Sequence, residues 1–366
     1  MPIDGCFLKE CCWPIVHPYV SQKVIWYIHG RIKIIAFEVH ELKDKSKPIV
    51  LVTGATGLVG RELVHCLVGS GSYYVRGVAR SLTTELPCDL CSLEINGATE
   101  WGEVLAGIDV VVHCAAITSS VKGVTNHQTL IETNVVATRV LAEQAAAAGV
   151  KRFIFISSLK VNGEHSSTNQ KITSKDQAEP QDLYAESKFQ AENDLTRIAC
   201  TTGMELVIVR PPLVYGPGVK GNFEALMRLC ASGIPLPFAL ANKQRSMVYT
   251  KNLADLLLRC IESPNAAGKV FLVSDGYDMT TSELVARIRI KMGIPPRLFP
   301  IPVYFFRIIG WCLRRSGVVE RLFGELRLDL SESERDLGYK APYAIDEALE
   351  NTVNTYLVKL TGSSND

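Results

Sequence analysis

Ile49-Val-Leu-Val-Thr53-Gly54-Ala-Thr56-Gly57-Leu58-Val59-Gly60 is the stretch on which the fold turns. Its first five residues form a nearly continuous apolar run, the pattern of a parallel strand covered on both faces. The next seven read G-x-x-G-x-x-G and lead into an amphipathic segment, so the glycines stand between a strand and a helix. Glycines at such a junction permit a tight turn and let backbone N–H groups approach a pyrophosphate, whose charge the helix N-terminus then faces. A glycine triplet alone carries little weight. The strand before it and the helix after it make a dinucleotide cradle the better reading than a bare turn. Gly54, Thr56, Gly57, Leu58, Val59 and Gly60 are the contacts expected there.

The same alternation continues along the chain. A helix is expected over 58–70, strands over 74–79 and 107–113, and a long Ala-rich helix over 130–148. Strands over 153–157 and 206–210 flank a helix over 184–201, and a late strand over 270–273 precedes a helix over 281–292 capped by Thr280 or Thr281. Strands alternating with helices imply an α/β fold, a doubly wound parallel sheet with a smaller C-terminal substrate lobe. The dinucleotide domain is assigned to 48–218. The substrate lobe takes most of 219–366, with a segment near 246–275 returning to the first domain. Residues 1–47 show no clean period and no signal-peptide pattern. They are read as an extension of unknown role, with 24–37 a candidate hairpin.

Composition narrows the function classes. The net charge is +1 with no basic stripe, which argues against nucleic acid. Eleven scattered cysteines suit reduced thiols and a cytoplasmic location better than a disulfide framework. Cys88-Asp-Leu-Cys91 lacks the second pair that a zinc ribbon needs, so no metal is expected. The apolar stretch 299–313 is short for a span and is interrupted by Arg307. It reads as a cover for the core or between lobes, although Arg314 and Arg315 leave a peripheral membrane contact open.

Two further stretches carry chemistry. At the end of the second strand, where a carboxylate would hold the ribose of NAD, the chain has Ala79-Arg80-Ser81. A basic residue there suits a 2′-phosphate, so NADP(H) is favoured over NAD(H). Tyr184-Ala-Glu-Ser-Lys188 puts a phenol and an ammonium on one helix face. A neighbouring cation lowers a phenol's pKa, and a phenol so tuned moves protons at an alcohol or ketone oxygen. The pair follows a strand ending in Ser157-Ser158, at the edge where doubly wound sheets bind ligands. Ser158 is read as a second hydrogen-bond partner of that oxygen.

The ordered set of glycine loop, Val-Val-His113-Cys114-Ala115-Ala116, Asn134, Ser158, Tyr184/Lys188 and Arg210-Pro211-Pro212 resembles the extended short-chain dehydrogenase/reductases. Within them it resembles the NAD-dependent epimerase/dehydratase family of Rossmann-fold nucleotide-sugar enzymes. The likeness runs from about Pro48 to the C-terminus. It implies Ser158, Tyr184 and Lys188 as the catalytic triad with Asn134 beside them. Ala115, Ala116, Pro211, Tyr184 and Lys188 would join the cofactor site, and Glu94-Ile95 would replace the family's Asp-Leu at the adenine. Thr118, Ser158, Asn222 and Arg245 would hold substrate, with Arg245 on a phosphate. Family members often pair through four helices, which leaves a homodimer open.

The resemblance leads to a UDP-sugar substrate handled at C4. Arg80, and Lys160-Val-Asn-Gly-Glu164 after the serine, tilt the reading toward a bacterial surface-polysaccharide subgroup. The leading expectation is a 4-ketoreductase of a UDP-2-acetamido-2,6-dideoxy-4-keto-hexose, giving UDP-N-acetylquinovosamine. A UDP-glucose or UDP-GlcNAc 4-epimerase stands second. A non-catalytic NADP-binding regulator would be expected to lose the Tyr/Lys pair, and a hydroxysteroid-type reductase would not need Arg245.

Overall fold

The structure is a computed structural model and describes residues 27–28, 31–32, 47–82, 85–118, 127–166, 170–312 and 316–362. It divides into two units, Met1–Ser46 and Lys47–Asp366. In the first, Tyr27–Ile28 and Arg31–Ile32 pair antiparallel, within the candidate hairpin. The remainder of that extension lies outside the described residues.

The second unit is built on seven parallel strands. They are β1 (Ile49–Thr53), β2 (Tyr74–Ala79), β3 (Asp89–Ser92), β4 (Val110–His113), β5 (Arg152–Ile156), β6 (Glu205–Arg210) and β7 (Lys269–Leu272). Their order across the sheet is β7-β6-β5-β4-β1-β2-β3. The order reverses between β1 and β4, and at such a switch point the loops after neighbouring strands part and leave a crevice. Helices α1 (Leu58–Ser70), α2 (Ala137–Ala147), α3 (Leu183–Thr202), α4 (Asn222–Ala231), α5 (Thr250–Glu262) and α6 (Thr281–Lys291) follow in chain order. Alternate residues of β1 serve opposite layers. Val50 and Val52 join Leu63, Leu67, Leu253 and Leu257, whereas Leu51 joins Trp101, Leu141, Leu195 and Ile198. Both faces are thus covered, the packing that a continuous apolar strand demands.

Two boundaries differ from expectation for local reasons. Strand β4 starts at Val110, because Gly107 takes φ +71° and Ile108 closes a turn onto the Leu105 carbonyl. The Ala-rich segment is not one α-helix. A π-helical turn, Glu132–Val136, lies between His127–Ile131 and α2. Inserting a π turn re-aims the side chains that follow, and such turns recur at functional sites.

A separate core holds the C-terminal lobe together, with Tyr215, Phe223, Met227, Phe238, Val285, Ile288, Phe323 and Leu349 among its buried members. Helices α7 (Val303–Cys312) and α8 (Ser316–Phe323) lie on this core. The expectation that 299–313 covers a core is only partly met. Phe306 is half-buried against it and Gly310 is buried, while Tyr304, Phe305, Ile308, Ile309 and Trp311 face outward. No described helix is long and apolar enough to cross a membrane.

Candidate active site

The glycine loop has the shape its sequence asks for. Gly54 takes φ +66°, and a Cβ there would stand 2.9 Å from the backbone of Ala115. A Cβ on Gly60 would stand 2.3 Å from the Gly54 carbonyl oxygen, so the helix can approach the loop this closely only without a side chain. Gly57 caps α1 in extended conformation without a side-chain bond, and the first turn carries no acidic residue. The N–H groups of Leu58, Val59 and Gly60 have no acceptor within the helix, the normal state of a first turn. Thr56 and Gly57 are exposed at the tip, and Ala115 and Ala116 are half-buried beside it. This is a cradle that added side chains would fill, and it fits a pyrophosphate.

At the end of β2, Arg80 is exposed and makes no ion pair among the described residues, and Ser92 Oγ donates to its carbonyl at 3.1 Å. Glu94 is exposed after β3, with its carbonyl bonded by Thr99 Oγ1, and Ile95 packs at the edge of the core. Pro211 is buried after β6, and its carbonyl accepts from Leu159 N at 2.9 Å.

Beyond β5 the two serines separate in role. Ser157 is buried and its Oγ donates to Glu192 Oε1 at 2.5 Å. Ser158 is half-buried, caps the turn Leu159–Asn162 and accepts from Lys160 N. Lys160 pairs with Asp182, the N-cap of α3, and with Glu164 at 2.7 Å. The turn carrying Ser158 is thereby fastened to the helix end that carries Tyr184.

Lys188 is buried, donates from Nζ to the Ile156 carbonyl at 2.8 Å and lies 4.5 Å from the centroid of the Phe155 ring. Burial pulls its pKa down to about 8, against smaller opposite pulls from Cys114 and Glu192. The expected fall of the Tyr184 pKa is not found. Desolvation, then the Asp182 carboxylate, raise the phenol above its ordinary value. The Lys188 ammonium is turned to the end of β5, and burial outweighs the charge effect that helix spacing alone suggested.

Asn134 sits in the π turn and is fully committed. Its Oδ1 accepts from Ile117 N at 2.9 Å, and its Nδ2 donates to Ile117 O at 3.0 Å and to Ser187 Oγ at 3.1 Å. Ser187 in turn donates to the Tyr184 carbonyl. Asn134 therefore ties the strand end after β4 to the helix bearing Tyr184 and Lys188. Thr118 follows directly and is exposed.

His113 was visible in the sequence as a strand-end residue without a role. It is buried between Thr53 Oγ1 at 2.7 Å from Nδ1 and Thr138 Oγ1 at 3.0 Å from Nε2. Thr138 donates to the Asn134 carbonyl, which leaves it to accept from Nε2–H, so Nδ1 accepts from Thr53. Burial, with Lys188 adding to it, pushes the His113 pKa down to about 3 from 6.5. Between those values the unfolded chain binds a proton that the folded chain does not, so this residue's contribution to stability is lost as pH falls through that window. His113→Gln should lower the number of protons taken up on unfolding by about one within that window. Urea unfolding at a series of pH values measures it, and an unchanged acid slope would contradict a neutral buried imidazole.

In the C-terminal lobe, Arg245 lies on the short strand Gln244–Arg245 and donates from NH1 to the Gly324 carbonyl at 2.9 Å. Burial lowers its pKa to about 10, with Glu164 opposing. Arg321 of α8 approaches the same Glu164 at 3.6 Å. Arg245 thus faces the segment that continues from Ser158. Asn222 is the exposed first residue of α4, whose cap is Gly221 rather than the asparagine.

Parallel strands carry Gly54, Ala115 and Ser158 out at one edge of the sheet, and α3 brings Tyr184 and Lys188 to it. The glycine cradle, a serine hydroxyl and a tyrosine thus belong to elements that end or begin at this edge.

The chain is similar to known proteins over most of its length. The model of the NAD dependent epimerase/dehydratase family matches residues 50–274. A UDP-glucose 4-epimerase of Vibrio cholerae is 40% identical over 319 residues, covering 86% of this chain and 97% of that protein. An N-acetyl-alpha-D-glucosaminyl-diphospho-ditrans,octacis-undecaprenol 4-epimerase of Escherichia coli O157:H7 is 25% identical over 318 residues, covering 83% and 94%. Among solved structures, a UDP-glucuronic acid 4-epimerase from Bacillus cereus, in complex with UDP-glucuronic acid and NAD, aligns with a TM-score of 0.70. It is 20% identical and the alignment covers 84% of this chain and 99% of that one, a likeness of fold.

Proposed function

This chain is an enzyme of the NAD dependent epimerase/dehydratase family, and from that premise we propose that it is a 4-epimerase of a UDP-hexose. The observation that carries the reading is the 40% identity to a UDP-glucose 4-epimerase across nearly all of that protein. Ser158 in the turn after β5 and Tyr184 in the first turn of α3 are consistent with it, as is Arg245 near Glu164 of the segment that follows Ser158.

A bound nicotinamide dinucleotide supplies a hydride acceptor that can also return the hydride. Tyr184, ionised to its phenolate, takes the proton from the sugar hydroxyl during oxidation, and the phenol so formed gives that proton back during reduction. The Ser158 hydroxyl donates to the same oxygen and holds it in place. Lys188 positions the helix behind Tyr184 through its bond to the Ile156 carbonyl. The Arg245 guanidinium offers a fork of donors to a diphosphate.

The 4-ketoreductase reading stands second, with NADP(H) as its dinucleotide. Two observations favour it. Arg80 replaces the acid that selects NAD and makes no ion pair among the described residues. Tyr184, with its pKa raised, rests as a phenol, the form that donates a proton to a reduced ketone. Purified protein given UDP-glucose, UDP-GlcNAc and NAD without reductant separates the two. Conversion to the 4-epimer is the expected result. No conversion, together with NADPH oxidation on a 4-keto UDP-sugar, would replace this proposal with the second.

A further inference from the structure

Helix α7 does not bury the side chains that its sequence offers. Along Val303–Cys312 only Arg307 is charged, and the apolar residues run round the whole helix. One narrow stripe faces inward, with Phe306 packed 4.6 Å from Phe323 and 6.3 Å from Phe238 by ring centroids. The remainder faces out, with Trp311 76%, Tyr304 61% and Ile309 55% exposed and Phe305 and Ile308 beside them. A helix that is apolar all round belongs in a core or at a lipid boundary, and an exposed patch of this kind marks an interaction site.

The charge pattern around the helix selects the partner. From Glu283 to Glu320 the chain has no acidic residue, while it carries Arg287, Arg289, Lys291, Arg297, Arg307, Arg314 and Arg315. Arg287 pairs with Glu283 and Asp346, Lys291 pairs with Glu350, and Arg289 is buried. Arg297 is exposed, and Arg307 is largely exposed with Glu320 at 3.4 Å. In the sequence, Arg314 and Arg315 come after the helix with Leu313 between. Apolar and aromatic side chains flanked by arginines match a bilayer surface with anionic headgroups, where rings sit at the boundary and guanidinium groups meet phosphates. A second copy fits less well, because a two-fold contact through this face would set like charges against each other.

We propose that α7 docks the enzyme on an anionic membrane surface as an interfacial helix, without crossing it. The helix adjoins the substrate lobe's polar site. Phe306 packs on Phe323, and the next residue, Gly324, supplies the carbonyl that holds Arg245. Docking through α7 therefore sets the Arg245 segment close to the headgroup plane.

The test is flotation of the full-length protein with phosphatidylcholine vesicles, with and without phosphatidylglycerol. The protein should float with the anionic vesicles and much less with neutral ones, and salt should release it. Ile308→Glu/Trp311→Glu changes only exposed side chains. It should remove flotation by at least tenfold, while the thermal melt and UDP-sugar turnover in vesicle-free buffer stay as in the unaltered protein. Failure of the unaltered protein to float on anionic vesicles would overturn the proposal, as would flotation that survives the double substitution. Dissociation of a dimer by that substitution, seen by sedimentation velocity, would assign the face to a second copy instead.

Discussion

Tyr184→Phe should reduce turnover by about 10²–10⁴-fold, the usual contribution of a positioned proton donor or acceptor. Its binding of the dinucleotide should be nearly unchanged. The substitution removes only the hydroxyl, and the ring keeps its place one turn before Lys188 on α3. The Tyr184 carbonyl continues to accept from Ser187, so the tie from Asn134 to the helix persists. Steady-state turnover and cofactor titration, done on the same preparation, measure the two effects. Turnover within a few-fold of the unaltered enzyme would remove Tyr184 from the chemistry and leave the α3 face a structural one.

The second large effect concerns stability. Glu192 and Arg210 form a buried ion pair, with Arg210 Nε at 2.9 Å and NH2 at 2.5 Å from the carboxylate oxygens. Ser157 Oγ bonds the same carboxylate, and Asn162 Oδ1 accepts from Arg210 NH1 at 3.0 Å. Removing one partner of such a pair leaves the other charge buried and uncompensated, at a cost of about 3–5 kcal/mol. Glu192→Ala should therefore lower the melting temperature by on the order of 10 °C. Glu192→Gln, which retains hydrogen-bonding atoms at the site, should lose less. Equal melting of Glu192→Ala and the unaltered protein would contradict the pairing. The Arg210-Pro-Pro sequence thus marks a clamp between β6 and α3. Its loss would disturb Ser158 and Tyr184 together, because the clamp spans the elements that carry them.

Much of the architecture was legible because its signals are short-range. The apolar run into Gly54 and the spacing of Gly57 and Gly60 depend on neighbours within a dozen residues. So does the placing of Thr280, which caps α6 by accepting from Glu283 N. The long helix expected over 130–148 was legible as helical but not as interrupted. A π turn is stabilised by what its side chains reach, here Ile117 and Ser187, and neither is near in sequence.

The candidate site shows the same division. Tyr184 and Lys188 were readable as one face of a helix because four residues make about one turn. The direction of the Tyr184 shift was not readable, since it depends on how completely the fold removes water from the phenol. His113 carried a sequence signal only as a polar residue ending a buried strand. Its partners Thr53 and Thr138 lie 60 and 25 residues away.

Local period and glycine sterics suffice for the strand-loop-helix cradle, the doubly wound alternation and the shared helix face of Tyr184 and Lys188, so these could be read from the residue order. Packing between distant segments set Ser157 on Glu192 and left Ser158 as the half-buried cap of the turn after β5. It alone decided that Asn134 is a tether and that α7 turns most of its apolar surface outward. Each of those outcomes rests on which groups the packed chain removes from water and which it leaves there, and segments distant in sequence set that together.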